Sequence, residues 1–188
     1  MKFNNTMQLT LAILKPHVVK NPFAIQRIRD LIIDNNFKIV RSRRTVLTLK
    51  DANLFYEDHK QKFFFNRLVT FMSSGPSDIY VLARENAISK WRELMGPTKV
   101  YQAQYLAPDT IRAKFGLSDT RNAAHGSDSP ESAEKEIKIF FKDFNIEQWL
   151  NNEEMLYNSD NLHFDPVLFV HTVDKSIINK NNLDKIVN

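Results

Sequence analysis

His125 stands in the run Arg121-Asn122-Ala123-Ala124-His125-Gly126-Ser127-Asp128-Ser129, in a setting that suits an imidazole reacting with an anion. Ser129-Pro130 combines a cap residue with proline at the first helical position, so a helix is predicted to begin just after the histidine. The free N–H groups and positive dipole end of that helix favour negative charge nearby. Glu136 falls about two turns into the same helix. It is placed to bond one ring nitrogen and fix the tautomer, leaving the other nitrogen free to attack. These local features leave two readings open: a nucleophile, or a structural histidine satisfied within a turn.

The chain carries no Gly-rich phosphate loop and no dinucleotide fingerprint. Any phosphate bound here must be held by side chains. The candidates are Lys15 at a strand end, Arg92 late in a helix, Arg112 and Asn122 in a long loop, and the hydroxyl of Thr98. Absence of cysteine removes disulfides, thiolate metal sites and thiol catalysis together.

The elements that must position these groups follow from hydrophobic spacing. Gln8 to Leu14 is mostly apolar and reads as a central strand ending at Lys15-Pro16. Asn21-Pro22 caps a helix carrying Ile25, Ile28, Leu31 and Ile32, which Asn35-Asn36 stop. A second strand begins at Phe37. Asp51 to His59 and Phe63 to Met72 read as two short helices closed by Ser74-Gly75-Pro76. Ile79 to Ala83 is a third strand, and Asn86 to Leu94 a helix closed by Gly96-Pro97. Thr98 to Ala123 shows no sustained periodicity and reads as a long functional loop. A short fourth strand is expected just before His125. Ala133, Ile137, Phe140 and Phe141 give the last helix its apolar face. This order indicates an α+β fold with helices on an antiparallel sheet.

With 188 residues, 43% of them hydrophobic, the chain suits one globular domain with an appendage. No apolar run approaches the ~20 residues of a membrane span. Met1 to Gln8 lacks the apolar stretch of a secretory signal. The net charge of +4 attracts polyanions in general. Its densest run, Lys38 to Arg44, alternates on a predicted strand and reads as a solvated face rather than a nucleic-acid surface. From Asn151 onward there are eight asparagines and no glycine. There Val167-Leu168-Phe169-Val170 reads as a strand or docking segment, and the rest as loosely ordered.

Over roughly residues 8 to 145 the sequence resembles nucleoside diphosphate kinases. The residues that carry the resemblance are Leu14-Lys15-Pro16, Phe63-Phe64-Phe65, Ser74-Gly75-Pro76, Leu94-Met95-Gly96-Pro97-Thr98, Thr110-Ile111-Arg112 and Asn122 to Ser129 followed by Glu131 to Glu136. The resemblance implies a ferredoxin-like βαββαβ fold over residues 8–150, with a short extension at 1–7 and a partly ordered one at 151–188. It implies ping-pong transfer of a γ-phosphoryl group from ATP or another nucleoside triphosphate to a diphosphate through His125. Lys15, Arg92, Thr98, Arg112 and Asn122 match phosphate and ribose contacts. Phe64 matches the aromatic residue stacked on the base, with Leu68 beside it. Tyr56 matches a tyrosine near the histidine, and Glu136 its hydrogen-bonding acid. Mg²⁺ is implied as bridging the nucleotide phosphates, with no metal-ligating residue named.

Some positions depart from the common pattern. His17 replaces an aspartate, the stretch from Thr98 to Arg112 is about three residues longer, and Asp119-Thr120 replaces a small apolar residue and glycine. With Ala107-Pro108-Asp109 and the longer tail, these resemble the family's divergent type 6 group. That resemblance implies a mitochondrial or cytoplasmic, non-secreted protein and a homo-oligomer, with the hexamer of common forms in question. The rival expectation is an interaction protein of the same fold with little activity alone, acting through a partner docked on the long loop or tail.

Overall fold

Alternation along the first strand sets up two layers of core. In this computed structural model, which describes residues 6–158 and 162–173, β1 (Gln8–Leu14) is buried along nearly its whole length. Leu11 and Ile13 join one buried cluster, while Ala12 and Leu14 join another on the opposite face. Helices therefore cover both faces of the sheet.

After β1 come α1 (Pro16–Val19), α2 (Pro22–Asp34) and β2 (Lys38–Val46). The Asn21 side chain accepts from the N–H groups of Phe23 and Ala24, so the expected cap starts α2. Next are α3 (Leu49–Phe55), a short 3₁₀ turn (Glu57–His59), α4 (Phe65–Met72), β3 (Pro76–Arg84) and α5 (Ala87–Met95). Then follow α6 (Val100–Leu106), α7 (Ile111–Phe115), β4 (Ala124–Gly126) and α8 (Pro130–Phe140). Ser129 caps α8 through the Ser132 N–H at 3.1 Å. The chain continues through α9 (Ile146–Asn152), α10 (Glu154–Tyr157), β5 (Leu162–Asp165) and β6 (Val170–Val173).

The main sheet has the order β2-β3-β1-β4, with every neighbouring pair antiparallel. This is the ferredoxin-like arrangement: the two crossovers place β1 and β3 in the centre. Packing α8 against β1 brings Ile137 and Phe140 into the cluster with Leu11 and Ile13. On the other face Ile28 and Ile32 of α2 and Trp91 of α5 pack with Leu14, Tyr80 and Leu82.

Two expectations are corrected. The stretch from Thr98 to Ala123 is not a structureless loop, since it contains α6 and α7. These helices have only 7 and 5 residues and bury just Val100, Ala103 and Ile111, too few positions to create a visible period. The segment after Asn151 is also more structured than its composition indicates. Tyr157 packs edge-on against the fully buried Trp149 at 5.1 Å, and β5 and β6 form an antiparallel hairpin. Of Val167 to Val170 only Val170 is in a strand. Val167 and Leu168 are exposed in a turn where both backbone N–H groups donate to Asp165 Oδ1. The hairpin is anchored on β2: the Ile39 N–H donates to His171 Nδ1 at 3.0 Å. Phe169 packs on Tyr80 and beneath Arg29. The expected extension at 1–7 and the tail beyond Val173 fall largely outside the described residues.

The basic run of β2 is engaged within the protein. Arg44 forms a two-pronged pair with Asp78 at 2.6 and 3.0 Å, Arg43 donates to the Phe140 carbonyl, and Arg41 lies over the Phe144 ring. Among the described residues no helix is long and apolar enough to cross a membrane.

Candidate active site

β4 is only 3 residues long, yet it fixes His125 firmly, opposite Ile13 of β1. Trp91 Nε1 donates to the His125 carbonyl at 3.0 Å. Gly126 lies against the same indole: a Cβ there would come within 2.7 Å of Trp91 Nε1 and of Met95 Cε. Glycine is needed because α5 packs so closely on β4. Just upstream, Ala123 adopts a φ of 69°, costly for a residue with a side chain. Its carbonyl is held by the Lys15 N–H at 2.9 Å. The turn out of β1 and the turn into β4 thus support each other.

Glu136 Oε2 is 3.0 Å from His125 Nε2 and accepts from Ser127 Oγ at 2.7 Å. Ser127 Oγ accepts in turn from the Leu11 N–H at 3.1 Å. An ionised carboxylate only accepts, so Nε2 carries the ring proton and Nδ1 keeps a lone pair. Among the described residues no hydrogen bond engages Nδ1. The Phe55 ring stands edge-to-face with the imidazole, centroids 4.9 Å apart.

Cations share the cleft with this imidazole. Lys15 is only 5% exposed. Its Nζ donates to Asn122 Oδ1 at 2.6 Å and to the Thr120 carbonyl at 3.3 Å. Burial, and then the Arg112 charge, lower its pKa from 10.5 to about 7. Arg112 donates to the carbonyls of Gly96 and Ala124 at 2.8 and 3.2 Å and reaches Thr98 Oγ1 at 3.4 Å. Burial, and then Arg92, lower its pKa to about 10, so it stays cationic at neutral pH. Gly96 makes this possible with a φ of 77°, a backbone shape that L side chains rarely adopt. Asn122 Nδ2 donates to the Thr98 carbonyl at 3.3 Å.

Tyr56 is buried, and its hydroxyl has no partner among the described residues. Burial, reinforced by the charge of Glu136, raises its pKa, so the phenol remains a donor. Phe64 precedes α4, and Leu68 lies one turn further, its N–H donating to the Phe64 carbonyl at 3.0 Å. All ten residues singled out from the sequence line one cleft of about 780 Å³: His125, Glu136, Tyr56, Lys15, Phe64, Leu68, Arg92, Thr98, Arg112 and Asn122. Lys15, Arg92 and Arg112 line it together with the carboxylates of Asp58, Asp119, Asp128 and Glu136, and the edge-to-face pair Phe63 and Phe64 adds aromatic surface.

The geometry is that of an anion-receiving cleft with a poised imidazole. The nucleoside diphosphate kinase family model matches residues 8–146. The chain belongs to this family. Nucleoside diphosphate kinase 6 of Danio rerio is 44% identical over 92% of this chain and 98% of its own length. Nucleoside diphosphate kinase 6 of Homo sapiens is 46% identical, over 89% and 90%. Among solved structures, the nucleoside diphosphate kinase of Aquifex aeolicus aligns with a TM-score of 0.69 at 42% identity, covering 72% of this chain and 95% of that one.

Sequence reasoning missed several contributors to this kinase-family site. Ser127, Trp91 and Phe55 act on His125 or Glu136 through contacts that only the fold creates. Ser127 alone left a signal, lying two residues beyond His125 at the strand end. His17, which stands where an acid is usual, places Nε2 3.2 Å from the Phe115 carbonyl, joining α1 to the end of α7. Among the described residues no cluster of three or more His, Cys, Asp or Glu could hold a metal.

Proposed function

We propose that this chain is a working nucleoside diphosphate kinase that transfers a γ-phosphoryl group between nucleotides through His125. The observation that carries this is the 3.0 Å contact of Glu136 with Nε2, which leaves the Nδ1 lone pair available beside Lys15, Arg92 and Arg112. In the first half-reaction Nδ1 forms a bond to the γ-phosphorus of a nucleoside triphosphate. The bond to the bridging oxygen breaks, and its electron pair stays on the departing diphosphate. Glu136 stabilises the positive charge that develops on the ring. In the second half-reaction a terminal oxygen of another diphosphate attacks the phosphorus and returns the electron pair to Nδ1. A P–N bond keeps the phosphoryl group about as energy-rich as its donor, so both directions remain open.

Lys15, Arg92 and Arg112 stabilise charge spread over the transferring oxygens. The neutral Tyr56 hydroxyl offers a further donor. Asn122 and Thr98 serve phosphate and ribose contacts. Mg²⁺ enters as part of the substrate, held by the nucleotide phosphates. Stacking of the base on Phe64, beside Leu68, is tolerant of base identity, because every base has a π-face.

The test is transfer from ATP to ADP-free GDP, CDP and UDP with Mg²⁺, comparing wild type with His125→Ala. Similar turnover on all three diphosphates, abolished by the substitution, is expected. Strong preference for one base would refute the stacking account. No transfer by folded wild-type protein would favour the interaction-protein reading.

A further inference from the structure

Phe55 touches the reactive histidine, yet it contributes no charge and no hydrogen bond. It is the last residue of α3, half-buried, and one wall of the cleft. Its ring makes three aromatic contacts. It meets His125 at 4.9 Å and 76°, Tyr56 at 4.7 Å and 79°, and Phe140 of α8 at 5.1 Å. Phe140 belongs to the helix that also supplies Glu136, so one helix holds both groups that contact the imidazole.

We propose that Phe55 is a positioning residue that holds the imidazole of His125 and shields its phosphorylated form from water. The inference rests on the kinase reading above. Glu136 fixes one edge of the ring through Nε2, but one hydrogen bond leaves rotation about that contact open. The perpendicular phenyl ring closes this freedom, because edge-to-face packing has a preferred geometry. The same ring lines the cleft in contact with the imidazole, so it takes space that water would otherwise fill beside the phosphorylated ring.

Shielding matters because a phosphohistidine has two fates. In productive transfer a diphosphate oxygen attacks phosphorus. In the wasteful alternative a water oxygen forms the new P–O bond. The P–N bond breaks, its electron pair returns to Nδ1, and both water protons end on the released phosphate, one kept on the attacking oxygen and one passed to a second oxygen. An apolar wall disfavours the second route by denying water a hydrogen-bonded place beside the ring. Among the described residues the Phe55 ring contacts are with Tyr56, His125 and Phe140, not with Phe64, and no hydrogen bond ties Phe55 to Lys15, Arg92 or Arg112.

The experiment isolates enzyme phosphorylated with labelled ATP, removes nucleotide, and follows loss of label in wild type, Phe55→Ala and Phe55→Leu. Phe55→Ala is expected to shorten the phosphoenzyme lifetime and lower kcat, each about tenfold, while KM for the diphosphate holds. Phe55→Leu keeps apolar bulk without the ring edge and is expected to give an intermediate lifetime. It serves as the decisive variant if Phe55→Ala does not fold. Lifetimes equal to wild type in the folded variants overturn the proposal while leaving the kinase reading intact. Failure of wild type to form any phosphoenzyme overturns both.

Discussion

Glu136 of α8 and His125 of β4 are joined at 3.0 Å. The contact sets which ring nitrogen holds a proton. Replacing Glu136 with Gln keeps the shape but removes the negative charge opposite the ring. Steady-state turnover is expected to fall by about 10- to 100-fold, the usual scale for losing a carboxylate that orients a functional histidine. Unchanged kcat would mean that the contact is structural only.

Lys15 is expected to make nucleotide binding pH-dependent. Its pKa in the free protein is lowered to about 7, and bound phosphates favour the charged form. Affinity for ADP, measured calorimetrically, is therefore expected to weaken as pH rises above about 7, by up to about tenfold per unit. Lys15→Arg should flatten this dependence, because Arg keeps its charge. Stability without nucleotide moves in the opposite sense. Between about 7 and 10.5 the unfolded chain holds a proton that the folded chain has released, so the Lys15 contribution raises stability with pH. Below about 7 the cost of burying the cation is fully present.

Arg112 is held by two carbonyls and the Thr98 hydroxyl, a forked geometry that lysine cannot reproduce. Arg112→Lys is expected to lower kcat/KM by about 100-fold, the scale of removing one preorganised donor to developing charge. The melting temperature should change little. A large loss of stability with normal kinetics in the folded fraction would assign Arg112 to scaffolding.

The segment after the family-matched region stabilises the domain without entering the cleft. Trp149 is fully buried against Tyr157. Trp149→Ala is expected to destabilise the protein by about 3–5 kcal/mol in denaturant titrations. The phosphotransfer rate of the protein that remains folded should persist. Unchanged stability would show that this segment packs independently of the core.

Where the chain announces its structure and where it does not has a physical pattern. Caps at Asn21 and Ser129 were legible because local hydrogen-bond chemistry determines them, and β1 because burial on both faces leaves a continuous apolar run. Seven of the ten cleft residues were legible within ordered motifs, and Tyr56, Leu68 and Arg92 through the family resemblance around them, although only the fold shows that they share one cavity. α6 and α7 escaped because short helices show too little of their period. The packing of β5 and β6 escaped because their partners on β2 are more than 120 positions away, as in the His171 to Ile39 contact. Phe55 escaped for the same reason: an apolar residue at a helix end looks like core until the ring beside it is known.

The most direct measurement of the central claim is incubation with Mg²⁺ and γ-labelled ATP, followed by acid and alkali treatment of the protein. The expected result is label that survives alkali, is released by acid, passes to added diphosphate, and is absent in His125→Ala. Label that persists in His125→Ala, or no label in folded wild-type protein, would contradict the assignment of His125 as the phosphoryl carrier.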